Sequence, residues 1–276
     1  MNPILIAIII LGSVALLSAL LLGIASRVFH VNENPLIASV GEALPGVNCG
    51  GCGYPGCANY AKAIVDNNVE VTLCAPGGNE VIAKISALLG RAVVAKDAEV
   101  ARLSCFGKPE FCAPRCDYQG IQTCRAANLQ NGGQKKCLYG CLGFGDCVSV
   151  CPFGAMSMVD GLPFIDEEKC TGCAICVREC PKKLLTLQNK KRQVYLHCAS
   201  KEFGKVVKEA CTVGCNGCSL CARKCPEKAL TMVDNLPIWD WSKCTQCGLC
   251  AKVCPSRIIF LDGRPVPKEA KEAPSA

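Results

Sequence analysis

The sequence predicts an α+β chain in three parts: one apolar helix, a small helical domain rich in cysteine and glycine, and two tandem strand–turn–strand units. Three observations predict this. Residues 1–26 carry no charged side chain. One cysteine group, within residues 46–92, is followed by apolar residues at helical spacing. Beyond residue 130 the cysteine pattern repeats at an offset of 74 residues. The expected boundaries are an anchor over 1–26, a linker over 27–45, the helical domain over 46–92 and a cysteine-bearing bridge over 93–130. The two units follow over 131–190 and 191–262, and a disordered tail over 263–276.

The stretch from Ile4 to Ile24 is broken only by Gly12, Ser13, Ser18 and Gly23. It is long enough to cross the hydrocarbon core as one helix. A cleaved signal would begin with basic residues and have a shorter apolar run; here the first basic residue, Arg27, follows the run. The positive-inside rule then predicts a single-pass protein of the cell (inner) membrane, with everything after Arg27 in the cytoplasm. Asn32, Asn34 and Pro35 are expected to break any helix in the linker.

The chain has 26 cysteines in 276 residues. Disulfides are disfavoured: the chain is too long to need staples, and the cysteines fall in tight CxxC groups. The run Cys170-x2-Cys173-x2-Cys176-x3-Cys180-Pro181 recurs as Cys215, Cys218, Cys221, Cys225-Pro226 and as Cys244, Cys247, Cys250, Cys254-Pro255. This is the two-cluster ferredoxin pattern, in which three cysteines hold one [4Fe–4S] cube and the fourth crosses to its neighbour. A lone CxxC pair would be ambiguous with zinc; three full runs are not. Each unit is therefore expected to be ferredoxin-like. Residues 156–165 and 230–239 read as hairpins, and Pro152, Pro181, Pro226 and Pro255 are expected to open short helices.

Ligand crossing assigns the cubes. In the second unit Cys215, Cys218 and Cys221 go with Cys254, and Cys244, Cys247 and Cys250 with Cys225. In the first, Cys170, Cys173 and Cys176 go with Cys151. Its other cube has Phe144 where Cys218 would map, so Cys137 is expected to complete Cys141, Cys147 and Cys180. A further cube is expected on Cys49, Cys52, Cys57 and Cys74, where Gly50, Gly51, Gly53 and Gly56 let the backbone curl round it; a structural zinc site is the alternative there. Cys105, Cys112, Cys116 and Cys124 suggest one more, bringing the total to about six. Cys198 or Cys211 could replace Cys112, or both could be spare. Cys124 maps onto Cys198 at the 74-residue offset.

The net charge of +7 does not point to nucleic acid. About six cubes at roughly −2 each outweigh it, and 5% aromatic residues leave few stacking platforms. There is no GxGxxG after a strand and no GxxxxGK[ST], so neither flavin nor NAD is expected on this chain. His30 and His197 are expected to be structural or surface residues.

The helix, the CGGCGYPGC and CAPGG segments and the tandem units together resemble the B subunit of the Rnf complex, the ion-translocating ferredoxin:NAD oxidoreductase. Simpler members carry one ferredoxin unit; this chain has the pattern of a longer form. The resemblance implies that soluble ferredoxin docks on the chain. Electrons then pass through the clusters to membrane subunits and to a NAD- and flavin-binding subunit, with Na⁺ or H⁺ moved elsewhere. It gives Cys49, Cys52, Cys57 and Cys74 the first-cluster role. The rival readings are a membrane-tethered polyferredoxin of a hydrogenase or other reductase, a corrinoid iron–sulfur methyl carrier and a zinc-structured scaffold.

Overall fold

A computed structural model describes residues 3–29, 34–92 and 94–265. Helix α1 runs over Pro3–Val28. From Ile9 to Val28 none of its residues is buried, and among the described residues it is the one helix long and apolar enough to cross a bilayer.

The expected linker is instead partly helical. Helix α2 spans Pro35–Ala43, and the Asn34 side chain accepts a hydrogen bond from the Leu36 N–H at 3.0 Å. Asn-Pro is a start signal here: the asparagine caps the helix, and proline fits its first turn, where no N–H is needed. Val40 and Leu44 enter one core with Tyr60 and Ile64 of α3 (Cys57–Asp66) and with Ile82 and Ile85 of α4 (Gly78–Leu89). The helical body thus begins at α2. Buried Tyr60 ties it together, donating to the Glu70 carbonyl at 2.6 Å and accepting from the Leu73 N–H at 3.2 Å.

The first ferredoxin unit also starts earlier than expected. Strand β1 (Glu99–Leu103) lies in the predicted bridge, yet it pairs antiparallel with β4 (Leu185–Asn189), Leu103 opposite Leu185. Between them come α5 (Cys124–Leu129), α6 (Asp146–Ser149), the hairpin β2 (Met156–Val159) with β3 (Leu162–Ile165), and α7 (Ile175–Glu179). The second unit repeats the plan. Strand β5 (Val194–Leu196) precedes α8 (Lys205–Ala210), α9 (Leu220–Arg223), the hairpin β6 (Leu230–Val233) with β7 (Leu236–Trp239), and α10 (Leu249–Lys252). β5 then pairs with β8 (Ile259–Leu261), which also pairs with β9 (Arg264–Pro265). The expected tail therefore begins with a short paired strand; residues 266–276 lie outside the described residues.

Both hairpins turn on residues with positive φ, Asp160-Gly161 and Asp234-Asn235, the preference of a type I′ turn. The prolines do not open helices. The short helices α6, α7, α9 and α10 come before each Cys-Pro pair, and the chain then makes one turn into a strand.

Two junctions join the bodies. Arg178 of α7 donates to the carbonyls of Gly50 and Gly51 at 3.4 and 3.5 Å, and a Cβ on Gly51 would lie 3.0 Å from the Cys173 carbonyl. Between the units, Arg102 of β1 is buried, pairs with Glu167 at 3.2 Å and lies 4.0 Å over the Tyr195 ring of β5. Phe106 packs edge-on against Phe260 at 4.9 Å.

Two glycines in the first unit separate strain from crowding. Gly172 has φ +70°, and a Cβ there would meet the Glu99 carbonyl at 2.5 Å; Gly154 has φ +59° with open space. Gly172→Ala should cost about 1–3 kcal/mol and lower the thermal midpoint of the anaerobically purified protein. Gly154→Ala should lower it less, because Lys183, Lys228 and Arg257 already take positive φ at the matching positions.

Candidate iron–sulfur centres

Each ferredoxin half-unit presents its cysteines by one backbone device used four times. The residue before the middle position of the run has positive φ (Gly143, Gly172, Gly217, Gln246), and so does the residue after it (Gly145, Ala174, Ser219, Gly248). The second of these turns the chain into a short helix whose second residue is Cys147, Cys176, Cys221 or Cys250. Left-handed conformations cost non-glycine residues of order 1 kcal/mol each. Ala174, Ser219 and Gln246 keep them because the turn aims backbone N–H groups and thiols at one point, a concave site for an anionic group.

Three cysteine sets come together in the pairing that ligand crossing predicts, and a fourth comes together in the helical body. Cys215, Cys218, Cys221 and Cys254 line one cavity, and Cys225, Cys244, Cys247 and Cys250 line another. Cys176 lies with Cys173, Cys170 and Cys151. Cys74 lies with Cys57, Cys52 and Cys49 in the helical body, where the Asn48 side chain accepts the N–H of Cys57 at 2.8 Å.

The structure departs from the expected assignment at the remaining sites. Cys124, not Cys137, lines the cavity with Cys141, Cys147 and Cys180. The cause is local. Thr123 caps α5, and the Asp146 carboxylate, next to Cys147, accepts the N–H groups of Cys124 at 2.9 Å and Arg125 at 3.2 Å. Cys137 lies instead with Cys105, Cys112 and Cys198. The expected group Cys105, Cys112, Cys116 and Cys124 is thus divided, and Cys116 stands exposed.

The equivalence of Cys124 with Cys198 also changes. Cys105 and Cys198 each follow a first strand by one intervening residue, and each Sγ accepts an N–H at 3.4 Å, from Cys141 and Cys215 respectively. The spacings are 36 and 17 residues, so the first unit carries an insertion that a fixed offset cannot see.

Known proteins bear on these centres. An Fe-S cluster family model matches residues 44–76, and a 4Fe-4S binding domain model matches residues 163–186 and 237–260. The B subunit of the Na(+)-translocating ferredoxin:NAD(+) oxidoreductase complex of Acetobacterium woodii is 41% identical over 88% of this chain and 74% of its own length. The B subunit of the Methanosarcina acetivorans ion-translocating oxidoreductase complex is 41% identical over 75% of this chain and 81% of its own. Its counterpart in the proton-translocating ferredoxin:NAD(+) oxidoreductase complex of Clostridium ljungdahlii is 39% identical over 88% and 87%. The chain belongs to this B-subunit family.

The donors in this B subunit fit iron–sulfur clusters. Five sets each offer four cysteine sulfurs, the donor set of a [4Fe–4S] cube. Burial, reinforced by neighbouring thiols, pushes Cys141, Cys147, Cys176 and Cys215 up to about 12 and Cys221 and Cys250 to about 11. Such thiols keep their protons until a cation takes the sulfur, so cluster binding releases protons. His197 is buried 3.9 Å from the Phe260 ring, and burial, with the Arg102 charge nearby, pulls it down to about 3. It is a neutral packing residue.

Cys124→Ala in the anaerobically purified chain should remove about four iron atoms, one cube, whereas Cys116→Ala should leave the count unchanged. Colorimetric iron and acid-labile sulfide per chain measure both.

Proposed function

We propose that this chain is the electron-transfer B subunit of an ion-translocating ferredoxin:NAD oxidoreductase complex, anchored by α1 with its cysteine domains in the cytoplasm. The observation that carries the reading is a row of cysteine sites in the helical body and both ferredoxin units. The Cys49–Cys74 site, next to the membrane helix in sequence, abuts the Cys170–Cys176 site, with Cys49 beside Cys173. Cys147 of the next site lies near Cys176. At the far end Cys221 of one site lies near Cys250 of the last, whose Cys247 is exposed.

On this reading each four-cysteine set holds a [4Fe–4S] cluster, which supplies one-electron redox chemistry when bound. The chain's own residues space the centres, exclude water and leave the last one open. Soluble ferredoxin meets the exposed end at Cys247, and electrons travel towards the Cys49–Cys74 end and the membrane subunits. Hydride chemistry takes place on a NAD- and flavin-binding partner.

Anaerobic purification from native membranes decides between this and a polyferredoxin of a hydrogenase. The complex should co-purify with membrane subunits and a NAD- and flavin-binding subunit, and reduced ferredoxin should bleach the chain's visible absorbance. Recovery with a hydrogenase would establish the alternative. Removal of residues 1–28 should release the chain from the membrane fraction.

A further inference from the structure

The row described above has a gap. Two sites lie in the first ferredoxin unit and two in the second, and between the units is a cavity lined by Cys105, Cys112, Cys137, Cys198 and Cys211. Four of these come as two related pairs, one member from each unit. Cys105 and Cys198 follow β1 and β5 by one intervening residue, and Cys137 and Cys211 each stand four residues before the first cysteine of a run. Gly140 and Gly214, also 74 apart, line the same cavity.

We propose that this cavity holds a further [4Fe–4S] cluster, ligated by Cys105, Cys137, Cys198 and one of the pair Cys112 and Cys211, which relays electrons between the two units. The proposal rests on the electron-transfer reading and gives it the missing step. A cluster held there would supply a one-electron step, oxidising its reduced neighbour and reducing the next, and each ligating thiol would yield its proton to solvent when its sulfur binds iron.

Three observations support the site. First, a buried cation is bound to its wall. Lys135 is 7% exposed, its Nζ donates to the Gly107 carbonyl at 2.7 Å, and among the described residues no carboxylate pairs with it. A buried ammonium without a counter-charge is costly, and a cluster with four thiolates is the anion that would offset it. Second, the thiols gather round Gly107: a Cβ there would lie 3.5 Å from Cys211 Sγ and 3.6 Å from Cys105 Sγ. Third, the site touches both neighbours. Cys105 Sγ accepts the N–H of Cys141, a residue of the preceding site, and Cys198 Sγ accepts that of Cys215, a residue of the following one.

Five cysteines exceed four corners, and the geometry says where the surplus lies. Cys112 and Cys211 are neighbours, Cys112 Cβ and Cys211 Sγ each lying 3.5 Å from the place a Cβ on Gly107 would take. They compete for a single corner, so either one suffices.

The test uses the full chain, purified anaerobically, with iron, zinc and acid-labile sulfide per chain, Mössbauer spectra and circular dichroism. The wild type should hold about 24 iron atoms, six cubes. Cys112→Ser and Cys211→Ser should each keep that count. The Cys112→Ser/Cys211→Ser and Cys105→Ala/Cys198→Ala double variants should each lose about four iron atoms with the other clusters' spectra and the secondary structure retained. The proposal is overturned if the wild type holds about 20 iron atoms, if the cavity takes zinc, or if the Cys112→Ser/Cys211→Ser variant keeps the full count. Should that variant fail to fold, the wild-type count and the two single variants still decide. A count of about 20 leaves the electron-transfer reading standing; a wild-type chain without iron or sulfide defeats that reading as well.

Discussion

Everything beyond the helical anchor depends on bringing several buried thiols to one point. Burial and mutual repulsion keep them protonated, as at Cys141, Cys147, Cys176 and Cys215, so the converged arrangement becomes favourable when a cation replaces the protons. That constraint explains why the ferredoxin units have so little ordinary core. Their apolar clusters include the cysteines themselves, with Cys147 and Cys176 in one and Cys221 and Cys250 in the other. It also explains why left-handed backbone at Ala174, Ser219 and Gln246 persists: the turn that strains the chain also points its thiols and amides inward.

The same constraint sets the architecture on a longer scale. A cluster site is small and local, so a long electron path is built by joining sites end to end. Gly51 allows the helical body to approach Cys173, and Arg178 fastens that junction. Arg102, Glu167 and Tyr195 fasten the next, and the five-cysteine cavity lies at the same junction. Electron tunnelling falls off steeply with distance. On the proposed path, packing between bodies therefore matters as much as ligation within them.

Much of this was legible in the sequence because cluster ligation fixes spacing. The CxxCxxCxxxCP runs, the crossing of the fourth cysteine and both hairpins could be read directly, and so could the apolar helix. What could not be read depended on chain routing between motifs. Nearness to Cys141 in sequence puts Cys137 at the vacant corner, and the 74-residue offset matches Cys124 to Cys198 because it cannot see the insertion between Cys105 and Cys141. An Asp146 contact across 22 residues draws Cys124 into the vacant corner. A usable signal was present: Leu103-Ser-Cys105 and Leu196-His-Cys198 share a strand ending in Leu-x-Cys, and Cys-x3-Cys recurs at Cys137 and Cys211. Asn34-Pro35 shows a different limit. Such a pair can break a helix or start one, and the packing of Val40 and Leu44 against Tyr60 and Ile64 shows that a helix follows.

The central claim is an unbroken row of centres from the membrane-proximal body to the exposed second unit. An iron anomalous-difference map from crystals of the loaded chain tests it most directly. The account predicts six iron peaks in one row, with a peak between Cys105 and Cys198 joining the two ferredoxin units. Five peaks with empty density at that position would contradict it.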